Sequence, residues 1–338
     1  PRLWLALMSK NRSTISIGPP FGYELCLQRL RQSDIEKFDL SAWRLAGVGA
    51  ETIRPEPLYK FAEMLEPCGF NKEAFCACYG MAECSLAVSF APLGNGLNID
   101  TVDGDYLSDH RQALPVDVQE FDEQVRASRF IDCGAPLADY QVQIRDTNGR
   151  PLPERHVGTI YVKAASIMSG YFGDLKSTQE VLSSDGWFNT GDLGYMVKNG
   201  LFITGREKDM IIINGRNIWP QDLEIAAEQQ PEVRTGDASA FAVPGPNGLE
   251  KTVMMVQCRV SSDPQRTELR DRIQRLIYQE LGIDCYIDLV PRNTLPRTTS
   301  GKLSRSKARK EFLKRRQRNQ RQSSSRTMLM SSKRIQVG

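Results

Sequence analysis

Residues 187–224, WFNTGDLGYMVKNGLFITGREKDMIIINGRNIWPQDLE, leave the local fold little freedom. Tyr195-Met196-Val197 and Leu201-Phe202-Ile203 flank Asn199-Gly200. Two apolar runs around an Asn-Gly step predict a β-hairpin with positive φ at both turn residues. A third run, Met210 to Ile213, is rich in β-branched residues and ends at Asn214-Gly215, another turn signal. Pro220 opens a helix, because a missing N–H costs nothing in a first turn, and Pro231 ends it. Asp192, Arg206, Lys208 and Asp209 lie beside glycines or at strand ends. Any one of them reads as a solvated turn residue. Charges at so many tight turns in one stretch suit contact with a polar ligand.

Three other stretches carry chemistry. Trp43 to Glu51, WRLAGVGAE, is a buried strand running into a Gly-rich turn, where small residues let a ligand approach the backbone. Phe75 to Glu83, FCACYGMAE, is a short buried strand, a Gly turn, then an acid. An aromatic at such a turn offers a flat face to a purine. A carboxylate just beyond it can hold Mg²⁺ against phosphate oxygens. Residues 295–305, LPRTTSGKLSR, form a polar loop with Lys302 between Gly301 and Leu303. The compact charge of a lysine suits phosphate oxygens.

A chain of 338 residues is long enough for two domains with cores of their own. The net charge of +3 gives no global case for nucleic acid. The basic excess collects from Lys302 onward, and residues 315–338 read as a basic, Ser-rich, disordered tail. No run is long enough for stable membrane insertion. The start, PRLWLALMSKNRSTISIG, lacks a convincing signal-peptide pattern and any initiator Met, so residue 1 is read as an interior point of a longer protein. None of the eight cysteines forms a C-x-x-C pair, and only two histidines are present. That disfavours zinc sites and Ser-His-Asp chemistry and suits free buried thiols in a cytoplasmic protein.

Taken together, TGD, GREKD, YGMAE and PRTTSGKLSR resemble the adenylate-forming superfamily of acyl-CoA ligases, peptide-synthetase adenylation domains and luciferases. The ending GRNIWPQDLE is most similar to the fatty-acyl-AMP ligase branch. The resemblance implies that Tyr79 stacks adenine, that Gly49, Ala50, Glu51, Gly80, Met81 and Ala82 wall the nucleotide, and that Asp192 and Arg206 hold the ribose. It implies Glu83 as the Mg²⁺ ligand, Lys208 as the hinge and Lys302 as the catalytic residue of adenylation. Phe21, in SIGPPFGYELC, is implied as an acyl-pocket residue. Ala82 replaces the usual Thr, a departure that fits the same branch; Val48 and Thr52 also depart, leaving the base-edge contacts open. Ser169-Gly170-Tyr171-Phe172 is a further landmark, read as structural.

The implied fold is α/β and α+β. Residues 1–207 would be the back part of the large AMP-binding domain, with sheet layers plus a small β-barrel and an insertion-like segment at 90–132. Residues 208–314 would be a small C-terminal α+β lid. The implied activity uses ATP and Mg²⁺ to turn a fatty acid into acyl-AMP, for transfer to the phosphopantetheine thiol of an acyl carrier protein or carrier domain. CoA is the less favoured acceptor, as in a long-chain acyl-CoA ligase. A non-catalytic remnant that binds nucleotide or a carrier is the other alternative. Nothing in residues 1–78 matches the family's phosphate loop, so the chain is expected to be N-terminally truncated and inactive by itself.

Overall fold

Short apolar runs separated by Gly and Pro become the strands of the first unit, as the computed structural model shows. It describes residues 1–117, 126–213, 215–245, 250–298 and 302–318. The expected turn residue Asn214, the loop residues 246–249, Gly301, part of the 90–132 segment and the tail from 319 lie outside these. The chain divides into two compact units, Pro1–Lys208 and Asp209–Gly338.

In the first unit, helix α1 (Arg2–Lys10) precedes β1 (Ile15–Gly18), and α2 (Pro20–Arg29) follows the Gly-Pro-Pro step. Next come α3 (Gln32–Ile35), β2 (Leu45–Val48), α4 (Pro55–Leu65), β3 (Phe75–Met81) and β4 (Leu86–Phe90). Strands β1, β2 and β3 pair in parallel, whereas β4 runs antiparallel to β3. The core beneath them is aromatic. Tyr23, Trp43, Phe61, Phe70 and Phe75 are all buried, and Tyr23 meets Phe61 edge-on at 5.1 Å between centroids, a favoured geometry. The hydroxyl of Tyr23 donates to the Gly47 carbonyl at 2.9 Å, so this polar atom that α2 sends into the core is satisfied.

The insertion-like segment is more regular than its turn-rich, acidic composition predicts. It contains β5 (Ile99–Asp103), α5 (Gly104–His110) and β6 (Ala127–Ile131), with β5 and β6 paired antiparallel. Asp103 caps α5, accepting from the backbone N–H groups of Asp105 and Tyr106 at 2.9 Å. β7 (Ala135–Pro136) then closes the first sheet beside β4. The β-rich stretch that follows gives a second sheet of β8 (Gln141–Arg145), β9 (Gly158–Lys163), β10 (Phe188–Val197) and β11 (Gly200–Arg206), with α6 (Leu175–Val181) before β10.

The β10–β11 hairpin turns one residue earlier than its Asn-Gly signal suggests. Val197 pairs with Gly200, so the turn residues are Lys198 (φ 48°) and Asn199 (φ 70°). Gly200 is in the strand for another reason: a Cβ there would lie 2.7 Å from a carboxylate oxygen of Asp132. Close approach, not turn geometry, requires that glycine.

The second unit packs helices on a three-stranded sheet. β12 (Ile211–Ile213) and β13 (Arg216–Ile218) form a ribbon that leads into α7 (Pro220–Glu228). β14 (Ala238–Pro244) and β15 (Glu250–Gln257) are antiparallel, α8 (Asp263–Leu281) crosses over, and β16 (Cys285–Val290) pairs parallel to β15. The apolar period of α8 buries Leu269, Ile273, Ile277 and Leu281, and Gly282 ends the helix at φ 66°. The helix begins at Asp263, and Pro264 fits its first turn. Arg315 to Arg318, expected in the disordered tail, instead continue helix α9 (305–318). Phe312 packs its ring near Phe241, and Arg315 pairs with Asp288 at 3.0 Å. These anchors outweigh the basic, polar composition of that stretch.

Arg305, at the start of α9, binds both oxygens of Glu224 at 2.8 and 2.7 Å and Asp209 at 3.2 Å. Burial alone would lower the pKa of this arginine, but the two carboxylates outweigh it and hold the group firmly charged. Removing one partner of such a set strands the other in low dielectric. Arg305→Met is expected to destabilise the second unit by about 3 kcal/mol, measured by urea unfolding; a midpoint indistinguishable from wild type would refute this.

Candidate functional site

Asp192 reaches its position through an irregularity in β10. Asn189 faces Tyr161 on β9, yet Leu193 faces Thr159. Four steps along one strand therefore match two along the other, and Thr190-Gly191-Asp192 bulge out. Bulges of this kind re-aim side chains. Gly191 sits at φ 67°, which glycine adopts without strain. Thr190 holds the bulge by accepting from the Asp192 N–H at 3.1 Å and donating to the Ile160 carbonyl at 2.8 Å.

Both oxygens of the Asp192 carboxylate are then engaged. One accepts from the Tyr79 hydroxyl at 2.8 Å, the other from Arg206 Nε at 2.7 Å. Asp192 and Tyr79 are each 8% exposed, whereas Arg206 is open to solvent. Burial, and then the charge of Asp192, push the Tyr79 phenol well above its ordinary pKa. Its hydroxyl is thus committed as a donor to Asp192. Charge-assisted bonds such as these give the site a fixed geometry.

Glu83 stands on the short helical turn Ala82–Cys84 that follows β3. Its Oε1 accepts from the Tyr171 hydroxyl at 3.1 Å, and its backbone carbonyl accepts from the Met168 N–H at 2.8 Å. Burial and Glu83 raise the pKa of Tyr171, while Arg206 lowers it, so Tyr171 lies within the fields of both charges. The Ser169-to-Phe172 landmark, read from sequence as structural, therefore brings a phenol to the site. A tyrosine beside a glycine in a polar loop was the signal available. Between β3 and β4, Gly80 cannot be replaced without moving backbone, since a Cβ would lie 1.7 Å from the Leu86 carbonyl oxygen.

Gly49, Ala50 and Glu51 follow the end of β2. A Cβ on Gly49 would lie 2.5 Å from the Cys78 carbonyl oxygen, so this turn presses on β3 just before Tyr79. Ala50 takes φ 69°. Phe21 lies in the first turn of α2, half-buried, while its neighbour Tyr23 is the core residue. Lys208 is exposed in the turn Glu207–Asp209, where the two units join along the chain.

All eight cysteines are free, and only Cys78 is not fully buried. Burial, and then Cys76, push its thiol up to about 11. Maleimide labelling of the native chain near neutral pH is expected to run roughly tenfold or more slower than for an unperturbed thiol; labelling at the free-thiol rate would contradict that.

Lys302 belongs to the second unit. Its N–H donates to Thr298 Oγ1 at 3.1 Å and its carbonyl accepts from the Thr298 N–H at 2.8 Å. Arg297 and Leu303 pair as a bridge. Lys302 is thus held by its backbone against Thr298, and Arg305 fixes the chain just beyond it.

The family described as AMP-binding enzyme matches residues 1–172. The chain is 45% identical over 314 residues to a Caulobacter vibrioides protein provisionally named an acyl-CoA synthetase, covering 93% of this chain and 54% of that one. It is 35% identical over 328 residues to the medium-chain-fatty-acid–[acyl-carrier-protein] ligase JamA of Moorena producens, again with 93% and 54% covered. A solved structure from a study of fatty acyl-adenylate ligases of E. coli and L. pneumophila superposes with a TM-score of 0.86 at 44% identity, over 93% of this chain and 55% of that one. The chain spans about half the length of the curated relatives it matches.

Proposed function

This chain belongs to the AMP-binding enzyme family, and from that premise we propose that it works as the back half of a fatty-acyl-AMP ligase. The observation that carries the reading is the convergence of Tyr79, Asp192 and Arg206, with the Tyr171–Glu83 pair alongside. A carboxylate pinned at a bulge, beside an exposed arginine, suits the hydroxyls of a ribose. An aromatic ring held next to it suits a purine.

In the proposed reaction a fatty-acid carboxylate oxygen attacks the α-phosphorus of ATP. The new O–P bond forms as the bond from the α-phosphorus to the bridging oxygen breaks, and pyrophosphate leaves with that electron pair. The protein's part is positioning and charge stabilisation. Tyr79 offers its ring to adenine, with Gly49, Ala50, Glu51, Gly80, Met81 and Ala82 as walls. Asp192 and Arg206 fix the ribose. Lys302 neutralises charge developing on the phosphates. Phe21 contributes to the acyl pocket, and Lys208 is the hinge about which the small domain turns for transfer to a carrier thiol.

Glu83 fits a magnesium role. Its carboxylate oxygens are hard donors, one is oriented by Tyr171, and Mg²⁺ is commonly held by one or two carboxylates plus substrate phosphates. When bound there, the ion would screen the phosphate charge. No helix among the described residues is long and apolar enough to cross a membrane, and a cytoplasmic site of action is part of the proposal.

The name of the Caulobacter relative favours a second reading, with CoA as acceptor. The test is acyl-AMP formation from ATP, Mg²⁺ and a panel of fatty acids, with and without CoA. It compares this chain with a form extended to the relatives' length. Product that stays at acyl-AMP in the presence of CoA supports the first reading, and acyl-CoA moves it to the second. No adenylate from the extended form would leave a nucleotide- or carrier-binding remnant instead.

A further inference from the structure

The loop at 164–174, between β9 and α6, is tied to the turn that carries Glu83. The Ser85 hydroxyl donates to the Ser166 carbonyl at 3.0 Å, and the Met168 N–H donates to the Glu83 carbonyl at 2.8 Å. The Tyr140 hydroxyl donates to the Cys84 carbonyl at 3.4 Å and also pairs with the Ser166 hydroxyl. The far end of the loop is held from α6. The Tyr171 N–H donates to Thr178 Oγ1 at 2.8 Å, and that hydroxyl donates to the Asp174 carbonyl at 2.8 Å. The Asp174 N–H returns to the Tyr171 carbonyl at 3.2 Å, and its carboxylate caps α6 by accepting from the Ser177 N–H at 3.0 Å.

The loop thereby treats its two aromatics differently. Phe172 is fully exposed, whereas the Tyr171 hydroxyl reaches Glu83 Oε1 at 3.1 Å. Glu83 is half-buried. Among the described residues, the bond from Tyr171 is the one hydrogen bond to its carboxylate. A glutamate side chain loses much rotamer freedom when it is ordered. Tyrosine has fewer torsions to fix, and the backbone of this one is already held at both sides by Thr178 and Asp174. Tyr171 is therefore the fixed member of the pair and Glu83 the member that is oriented. A donated hydrogen bond draws charge from the oxygen that accepts it, which would make Oε1 a weaker ligand. It leaves the other oxygen its full charge.

We propose that Tyr171 is a positioning residue for Glu83, holding one carboxylate oxygen so that the other is presented to a divalent cation. Carboxylates that bind metals are commonly hydrogen-bonded in this way. The cation at Glu83 rests on the ligase reading; the Tyr171–Glu83 bond and the loop that fixes it do not.

The test is Mn²⁺ binding, followed by electron paramagnetic resonance, to a form of the relatives' length saturated with a non-hydrolysable ATP analogue. Tyr171→Phe keeps the ring and the backbone bond to Thr178 and removes the hydroxyl. It is expected to raise the half-saturating Mn²⁺ concentration about tenfold, as loss of a hydrogen-bond partner of a metal ligand does. Glu83→Ala should weaken Mn²⁺ binding at least as much, and adding Tyr171→Phe to it should change little, because the bond is already gone. In ATP–pyrophosphate exchange the half-maximal Mg²⁺ concentration should rise by the same factor in Tyr171→Phe, and high Mg²⁺ should recover rate lost at low Mg²⁺. A merely structural tyrosine would lower the rate at every Mg²⁺ concentration. Wild-type Mn²⁺ affinity in Tyr171→Phe, with Glu83→Ala weakened, would overturn the proposal and leave the ligase reading untouched. An equal further loss in the Glu83→Ala background would also overturn it. Unchanged affinity in Glu83→Ala would remove both the metal role of Glu83 and the positioning built on it. Mn²⁺ binding that follows the expected pattern in an enzyme without exchange would support the positioning and sink the ligase reading.

Discussion

Lys302→Ala, made in an enzyme of the relatives' length, is expected to lower the rate of acyl-AMP formation by about a hundredfold to a thousandfold, the range seen when one donor to transition-state charge is removed. The loss should fall on kcat, with the KM for ATP little changed, because the group is proposed to act on charge that develops during the reaction. The bonds described between Lys302 and Thr298 use the backbone N–H and carbonyl of Lys302, which alanine keeps. Lys302→Arg should restore only part of the rate, since a planar fork does not replace a compact ammonium. Acyl-AMP formation at the wild-type rate in the alanine variant would remove Lys302 from the reaction.

Asp192→Ala should act on binding instead. A charged hydrogen-bond acceptor contributes about 1.5–3 kcal/mol, so the KM for ATP in pyrophosphate exchange is expected to rise about tenfold to a hundredfold. The variant also leaves the Tyr79 hydroxyl, buried and bonded to Asp192 at 2.8 Å, without its acceptor. Asp192→Asn separates the two effects. It retains an oxygen for Tyr79 but loses the charge that Arg206 and a ribose would use. If the Asn variant exchanges pyrophosphate with an unchanged KM, the carboxylate is structural and the ribose assignment fails.

Three of the glycines that marked candidate stretches in the sequence do sit at conformational breaks: Gly191 in the bulge, Gly80 against Leu86, Gly49 against Cys78. Strand positions followed from apolar runs bounded by turn residues, as in β10 and β11. What remained hidden depended on long-range contact. Nothing near Asn199-Gly200 announces that Asp132 will crowd the glycine. The acidic run from Asn98 to His110 looks like loop until Asp103 is seen capping a helix. Tyr171 gave no local reason to be linked with Glu83, far away in the chain. Arg305 reads as one more basic residue in a basic stretch, and only the fold brings Glu224 and Asp209 to it.

The bulge at Thr190-Gly191-Asp192 also bears on redesign. Regular pairing resumes on both sides of it, at Asn189 with Tyr161 and at Leu193 with Thr159. The excess backbone is absorbed locally, so these three residues behave as a cassette. With Thr190 and Gly191 kept, the side chain at position 192 can be exchanged to alter what it offers a ligand while the flanking ladder keeps its register. An insertion or deletion inside the cassette, by contrast, would have nowhere to be taken up. It would turn the rest of β10 over, sending the buried Leu193 and Tyr195 toward the opposite face.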